Sequence, residues 1–308
     1  MLESAPPWLW IVFTLLAATG QTARNAMQRG LTSTLGTIGA THVRFLFGLP
    51  FALLFLGVMA LSVEWPYLNF GVPFLAWLVF GAGCQIFATG WMLSAMQMRS
   101  FVVATAAIKT EPVQVAVFGA VFLGERIGLL GLVAVIVATA GVVMMSWPAQ
   151  PVSGNNANPS RADRWWPLLI GVAAGGLFAL SAVGFRGAIL ALGEGEFYVR
   201  ATTTLACGLA LQSVLLTGWL LWRDAASLVA ILRAWRPSLV AGFMGAAASQ
   251  FWFLAFAVDT VSRVRTLALV EVLMAQVISR KLFSQHTSKA EAFGISLIVA
   301  GVVLLLNS

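Results

Sequence analysis

Ten runs of roughly 20 apolar residues, most separated by only a few residues, constrain this chain more than any other feature. They cover 8–29, 36–62, 73–96, 101–123, 127–147, 166–188, 197–222, 238–258, 262–283 and 290–307. A hydrocarbon layer offers no water to backbone N–H and C=O groups, so each run is expected to cross it as a helix that satisfies its own backbone. Short connections make consecutive spans antiparallel neighbours. Composition agrees: 9% of residues are charged, against about 25% in a soluble domain. The net charge of +7 does not point to nucleic acid, because the basic residues are scattered among apolar runs. Cys84 and Cys207 lie inside such runs and suggest neither a disulfide framework nor a metal site. No cofactor is expected. The first run, from Trp8, has no basic stretch before it and no small-residue cleavage site, so it is read as a retained span.

The longest unpatterned polar stretch, within 148–165, falls at the midpoint and reads as a linker between residues 1–147 and 166–308. The two halves resemble each other. A shift of 160 residues lays KTEPVQV on LVEVLMA, pairing Glu111 with Glu271, and AGVV at 140–143 on AGVV at 300–303. A shift of 156 pairs Arg44 with Arg200. Each half has five spans, an odd number, so the second inserts upside down relative to the first. The expected fold is therefore an all-α membrane protein of ten helices in two inverted five-helix repeats, with its binding site near the midplane.

Basic residues outside the spans set orientation. Arg126, Arg186, Arg263 and Arg265 fall on the side of the termini; Arg29, Arg99, Arg161, Arg164, Arg223, Arg233, Arg236, Arg280, Lys281 and Lys289 fall on the other. The count places both termini outside the cytoplasm. It also makes 223–236 a surface helix with Leu228, Ile231, Leu232 and Trp235 toward lipid.

Charged side chains at mid-membrane cost about 2.5–3.5 kcal/mol on insertion scales, so they face a bundle interior or an aqueous path. Glu111 and Glu271 sit near the middle of spans 4 and 9, one per half, as a pair for protons or cations; the alternative is a structural ion pair. Lys109 is two residues from Glu111 and points about 200° away from it on a helix, so the two do not neutralise each other on one face. Its counterpart is Leu269, which makes the site asymmetric. Pro112 crowds and unpairs the carbonyl of Ile108, either a ligand acceptor or a packing kink. Arg44 and Arg200 can grip a carboxylate or phosphate, or snorkel to a surface. Gln85 and Gln250 are candidate hydrogen-bonders and Trp91 and Trp252 candidate cavity walls, with packing as the alternative for all four. The GxxxG at Gly171 and Gly175 signals close helix approach rather than chemistry. The sequence contains no phosphate-binding G-x-x-x-x-G-K-[ST], no H-E-x-x-H, no C-x-x-C and no G-x-S-x-G, which argues against an enzyme or an ATP-driven motor.

The stretch EPVQVAVFGAVFLGERIGLLGLVAVIVATAGVVMM (111–145), with its span-4 proline Pro112, its Gly124-Glu125-Arg126 turn and its small-residue span, resembles the EamA-like group of the drug/metabolite transporter superfamily. In the second half Val272 replaces the proline and SQH at 284–286 the acidic turn. The resemblance implies alternating-access transport of a small organic solute, usually export across the bacterial inner membrane, with both termini in the cytoplasm; the charge count says the reverse and is preferred. Together, these features favour a carboxylate-bearing or zwitterionic, amino-acid-like solute. An exporter of lipophilic cations and a non-transporting receptor or scaffold remain alternatives. The expected partners are the solute and membrane lipid.

Overall fold

The computed structural model describes residues 6–95, 107–146, 161–273 and 289–308, and within them every regular element is helical, with no strand. The elements are α1 (Leu9–Leu46), α2 (Leu49–Ser62), α3 (Val72–Ala95), α4 (Glu111–Leu123), α5 (Leu129–Ser146), α6 (Arg161–Ala191), α7 (Phe197–Arg223), α8 (Ala225–Arg233), α9 (Trp235–Val258), α10 (Val261–Leu267) and α11 (Lys289–Leu306). Five stretches are long and apolar enough to cross a membrane: Gly30–Ser62, Val72–Ala95, Leu168–Ala191, Phe197–Arg223 and Trp235–Val258. Three shorter apolar helices accompany them, Glu111–Leu123, Leu129–Met144 and Ala292–Leu306. Residues 101–106 of the expected fourth span, 274–283 of the ninth and 148–160 of the expected linker lie outside the described residues, as does the SQH segment. The last part of the linker, from Arg161, is already helical in α6.

α1 is two helical arms joined at Gly36, whose φ of 66° and ψ of 176° suit glycine alone. The chain reverses there. Gln28 Nε2 donates to the Ala40 carbonyl at 3.0 Å, whereas twelve residues of straight helix would hold these positions about 18 Å apart. A second, smaller break at Phe47 and Gly48 precedes α2. Its cause is legible: Pro50 stands in the first turn of α2, where its missing N–H costs no hydrogen bond.

Chain contacts divide the molecule into two compact units, each drawing on both sequence halves. The first comprises Met1–Ile86 and Ser181–Asp259; the second comprises Phe87–Leu180 and Thr260–Ser308. In the first unit, α1 lies along α9, where a Cβ on Gly20 would stand 3.1 Å from that of Ala248. α3 and α6 cross so closely that a Cβ on Gly184 would meet the Gly81 α-carbon at 2.7 Å. The short helix α8 corrects one expectation. Ile231 is fully buried and packs on Gly39, because its side of α8 faces the protein; Leu232 and Trp235 are exposed as anticipated, and Leu228 is half-buried.

In the second unit, α5 and α11 cross at the two glycines of the repeated AGVV. A Cβ on Gly141 would lie 2.7 Å from the Gly294 carbonyl, and one on Gly301 2.7 Å from Ala138. The repeat therefore has a physical reason, since a side chain at either glycine would push the backbones apart. Around this crossing Ala138, Val142, Ile298 and Leu269 form a core, with Val272, Leu273 and Val302 against it.

Candidate functional site

The second unit gathers four charged side chains from two discontinuous segments. Residues 107–108 are helical, 109–110 form a turn, and α4 begins at Glu111. The turn is tight: Thr110 N–H donates to the Ala107 carbonyl at 3.1 Å and Val113 N–H to that of Thr110 at 3.2 Å. The other segment repeats the design. α10 ends at Leu267, a turn follows at 268–269, and helix resumes at 270, one residue before Glu271. There Leu269 N–H donates to Thr266 and Glu271 N–H to Ala268, at 3.1 and 3.0 Å.

Both glutamates therefore stand just past a break, but only one break has a proline near it. Val272 occupies the place of Pro112, and the chain turns regardless, so proline is not what requires the interruption. The Ile108 carbonyl that Pro112 leaves unpaired does not open into a cavity. It lies against Gly175 of α6, where an added Cβ would come within 2.9 Å of it, and Gln114 packs on the neighbouring Gly176. The GxxxG segment thus receives the start of α4, as a packing surface should. Gln114 Nε2 donates to the Val172 carbonyl at 3.2 Å across the same contact.

The charges pair crosswise. Lys109 Nζ donates to Glu271 Oε1. Arg265 Nε stands 3.1 Å from Glu111 Oε1. Lys109 and Glu111 point apart, as their spacing requires, and each finds its opposite on the other segment. The side chains are mostly withdrawn from solvent: Lys109 is 24% exposed, Glu271 10%, Arg265 10% and Glu111 14%. Leu269, the counterpart of Lys109, turns instead into the α5–α11 core, which accounts for the asymmetry.

Arg265 is the residue that sequence reasoning misplaced. It was counted among the surface cations of the terminal side, yet it is buried and ion-paired. Its signal was present, since it lies within the apolar run 262–283 rather than outside it. The Gly124-Glu125-Arg126 turn also has a definite job. Gly124 takes φ +65° to end α4, and Glu125 Oε2 accepts the Val261 N–H at 3.2 Å, capping α10. Gly119 leaves room for that carboxylate, which a Cβ there would approach to 2.9 Å. Segment 107–125 therefore holds residues 261–271 at three places, two of them ionic.

The remaining candidates, except Trp91, lie in the first unit. Arg44 is buried beside Gly245 of α9. Arg200 is half-buried in the first turn of α7. Gln85 accepts from Gln212 Nε2 at 2.9 Å, and Gln250 donates to Thr202 Oγ1 at 2.7 Å. Both glutamines join helices. Trp252 is buried and donates its indole N–H to Gln21 at 3.1 Å. Trp91, in the second unit, is 44% exposed. Among the described residues no group of His, Cys, Asp and Glu has metal-ligating geometry.

The profile of the EamA-like transporter family matches residues 8–147. A solved crystal structure of a protein aligns over 98% of this chain and 96% of its own, with a TM-score of 0.69 at 16% identity; that likeness is one of fold. No curated protein matches the sequence.

Proposed function

We propose that this chain, whose residues 8–147 match the EamA-like transporter family, is a ten-helix secondary transporter of the bacterial inner membrane. Its repeats are residues 1–147 and 166–308, inserted in opposite senses. It exports a small carboxylate-bearing, amino-acid-like solute by alternating access, with proton coupling. The observation that carries this reading is the crossed quartet of Lys109, Glu271, Glu111 and Arg265, which stands at two helix breaks, one of them at the start of the apolar helix Glu111–Leu123.

The chemistry follows from the pairing. A proton taken up by Glu271 removes the charge that holds Lys109, and one taken up by Glu111 releases Arg265. Either event makes a buried cation available and loosens one link between the two segments. Broken helices suit such a site, because each segment shifts at its turn without disturbing a continuous hydrogen-bond ladder. Arg44 and Arg200 are the cations assigned to the solute's anionic end, with Trp252 as a wall. Gln85 and Gln250 are assigned to packing.

The test is uptake into proteoliposomes of pooled amino acids, organic acids and lipophilic amines, with and without a pH gradient. Because Glu111→Gln alone leaves Arg265 buried without its carboxylate, the informative variant is Glu111→Gln with Arg265→Gln. Gradient-dependent uptake of an acid or amino-acid pool that the double variant loses supports the proposal. Uptake of the amine pool alone overturns the substrate class, and unchanged coupling in the variant overturns the role of the quartet.

A further inference from the structure

We infer that the groove between α8 and the bend of α1 binds one anionic phospholipid, whose phosphodiester meets Arg233. Both walls belong to the first unit. The groove holds about 620 Å³ between Thr34 and Leu35 of α1 and Ala226, Val229, Ala230 and Arg233 of α8. That volume falls within the roughly 300–1,000 Å³ of small-molecule sites. The four α8 residues recur at spacings of three and four, so they form one stripe along the helix. Neighbouring residues shape the space. Gly36, at φ 66°, turns α1 back one residue after Leu35, and the fully buried Ile231 anchors α8 on Gly39. Alanine at 226 and 230 leaves the stripe hollow, and Arg233 stands at its end, in the last turn of α8.

Depth and charge decide what fits. α8 joins α7 to α9, two helices of membrane-crossing length, so the groove lies where hydrocarbon gives way to headgroups. Trp222 and Trp235 flank α8 and are exposed, as tryptophan is wherever it anchors a chain at that level. The guanidiniums of Arg223 and Arg236 lie 5.3 and 5.4 Å from the ring centroids of these two tryptophans, which sets a cation at each end of α8. Against Arg223, Arg233 and Arg236, residues 197–258 carry one acid, Asp224, and residues 5–63 carry none. Asp224 is already engaged as the N-cap of α8: one oxygen accepts the Ser227 N–H at 3.3 Å and the other its hydroxyl. The local field is therefore positive, and each arginine near a membrane surface attracts an anionic headgroup. A lipid fits better than a soluble anion. Leu35 and Val229 offer an apolar wall to the glycerol ester beside the phosphate, and a free ion would leave that wall unused.

The experiment titrates lipid into the purified full chain in neutral detergent and reads thermal unfolding. Phosphatidylglycerol is the probe, phosphatidylcholine with the same acyl chains the neutral control, and inorganic phosphate the soluble anion. Phosphatidylglycerol raises the melting temperature of the wild type at lower concentration than phosphatidylcholine, and phosphate at matched ionic strength does not raise it. Arg233→Gln, which removes the cation, and Ala230→Leu, which fills the stripe at unchanged charge, each weaken phosphatidylglycerol about fivefold or more. Arg126→Gln makes the same charge change at an exposed position of the second unit and leaves binding as it was. Should Ala230→Leu destabilise the fold, Ala226→Leu, at an exposed position of the same stripe, replaces it. Equal stabilisation by both lipids overturns the inference, as does stabilisation by phosphate alone. Equal weakening by Arg233→Gln and Arg126→Gln would reduce the effect to general surface charge, and wild-type binding by the filled variant would place the headgroup outside the groove; both overturn it. Since binding is read without transport, none of these failures touches the pH-gradient result at the quartet.

Discussion

Replacing Arg265 with glutamine is expected to destabilise the protein by about 3–5 kcal/mol, the usual cost of stranding one partner of a buried pair. The structure supports the size. Arg265 Nε and Glu111 Oε1 are 3.1 Å apart, and at an effective dielectric near 20 two unit charges at that distance attract by about 5 kcal/mol before desolvation is counted. With the carboxylate only 14% exposed, water replaces little of the lost attraction. Glu111→Gln should cost a similar amount, because it strands the guanidinium. The double variant leaves two amides of similar size and strands neither partner, so its cost falls well short of the sum, by about 2–3 kcal/mol. Unfolding by SDS titration in mixed micelles gives the four free energies. A cycle of Arg233→Gln with Glu111→Gln, which joins an exposed residue to the quartet, serves as the additive control. Single costs that sum within about 0.5 kcal/mol would mean that the two residues do not interact, and would refute the quartet as an energetic unit.

Three further outcomes follow from the packing and the charges. Gly301→Ala forces a Cβ to within 2.7 Å of Ala138 and should cost about 1–3 kcal/mol, whereas Gly57→Ala, with nothing within 4 Å of the new atom, should cost nothing measurable; melting temperatures decide. Glu125→Ala removes the acceptor for the Val261 N–H and should speed amide hydrogen exchange across 261–267, with a loss of about 1 kcal/mol. The burial of Arg265 removes one cation from the terminal side and widens the imbalance of basic residues, so both termini should lie outside the cytoplasm: a C-terminal alkaline phosphatase fusion should be active and a green fluorescent protein fusion dark.

The all-helical, apolar character of the chain was legible because membrane helices announce themselves by apolar length, and because charge is rare enough there to be read singly. The AGVV repeat and the GxxxG segment both mark close backbone approaches, which only a residue without Cβ permits. The two glutamates could be found because each is a carboxylate in an apolar run. Their partners could not. Glu111 meets Arg265 and Lys109 meets Glu271 only after two segments break and come together, and spacing along one helix says nothing of that. Pro112 drew attention to the first break, but the second occurs beside Val272, so its cause lies in tertiary packing rather than in a local signal. Ile231 was assigned to lipid from amphipathicity alone, which identifies an apolar face without telling protein from bilayer. The division into units that mix both halves was equally hidden, since it depends on contacts between residues from 58 to 231 positions apart.

The most direct test of the account is proton movement driven by solute. Proteoliposomes loaded with a pH-sensitive dye would receive the solute identified by uptake, comparing the wild type with the pair-neutral Lys109→Met/Glu271→Gln protein. The account predicts that solute addition shifts the internal pH in the wild type and leaves it unchanged in the variant, whose melting curve stays close to normal. Equal proton movement in both would contradict it, and would reduce the crossed pairs to structural links.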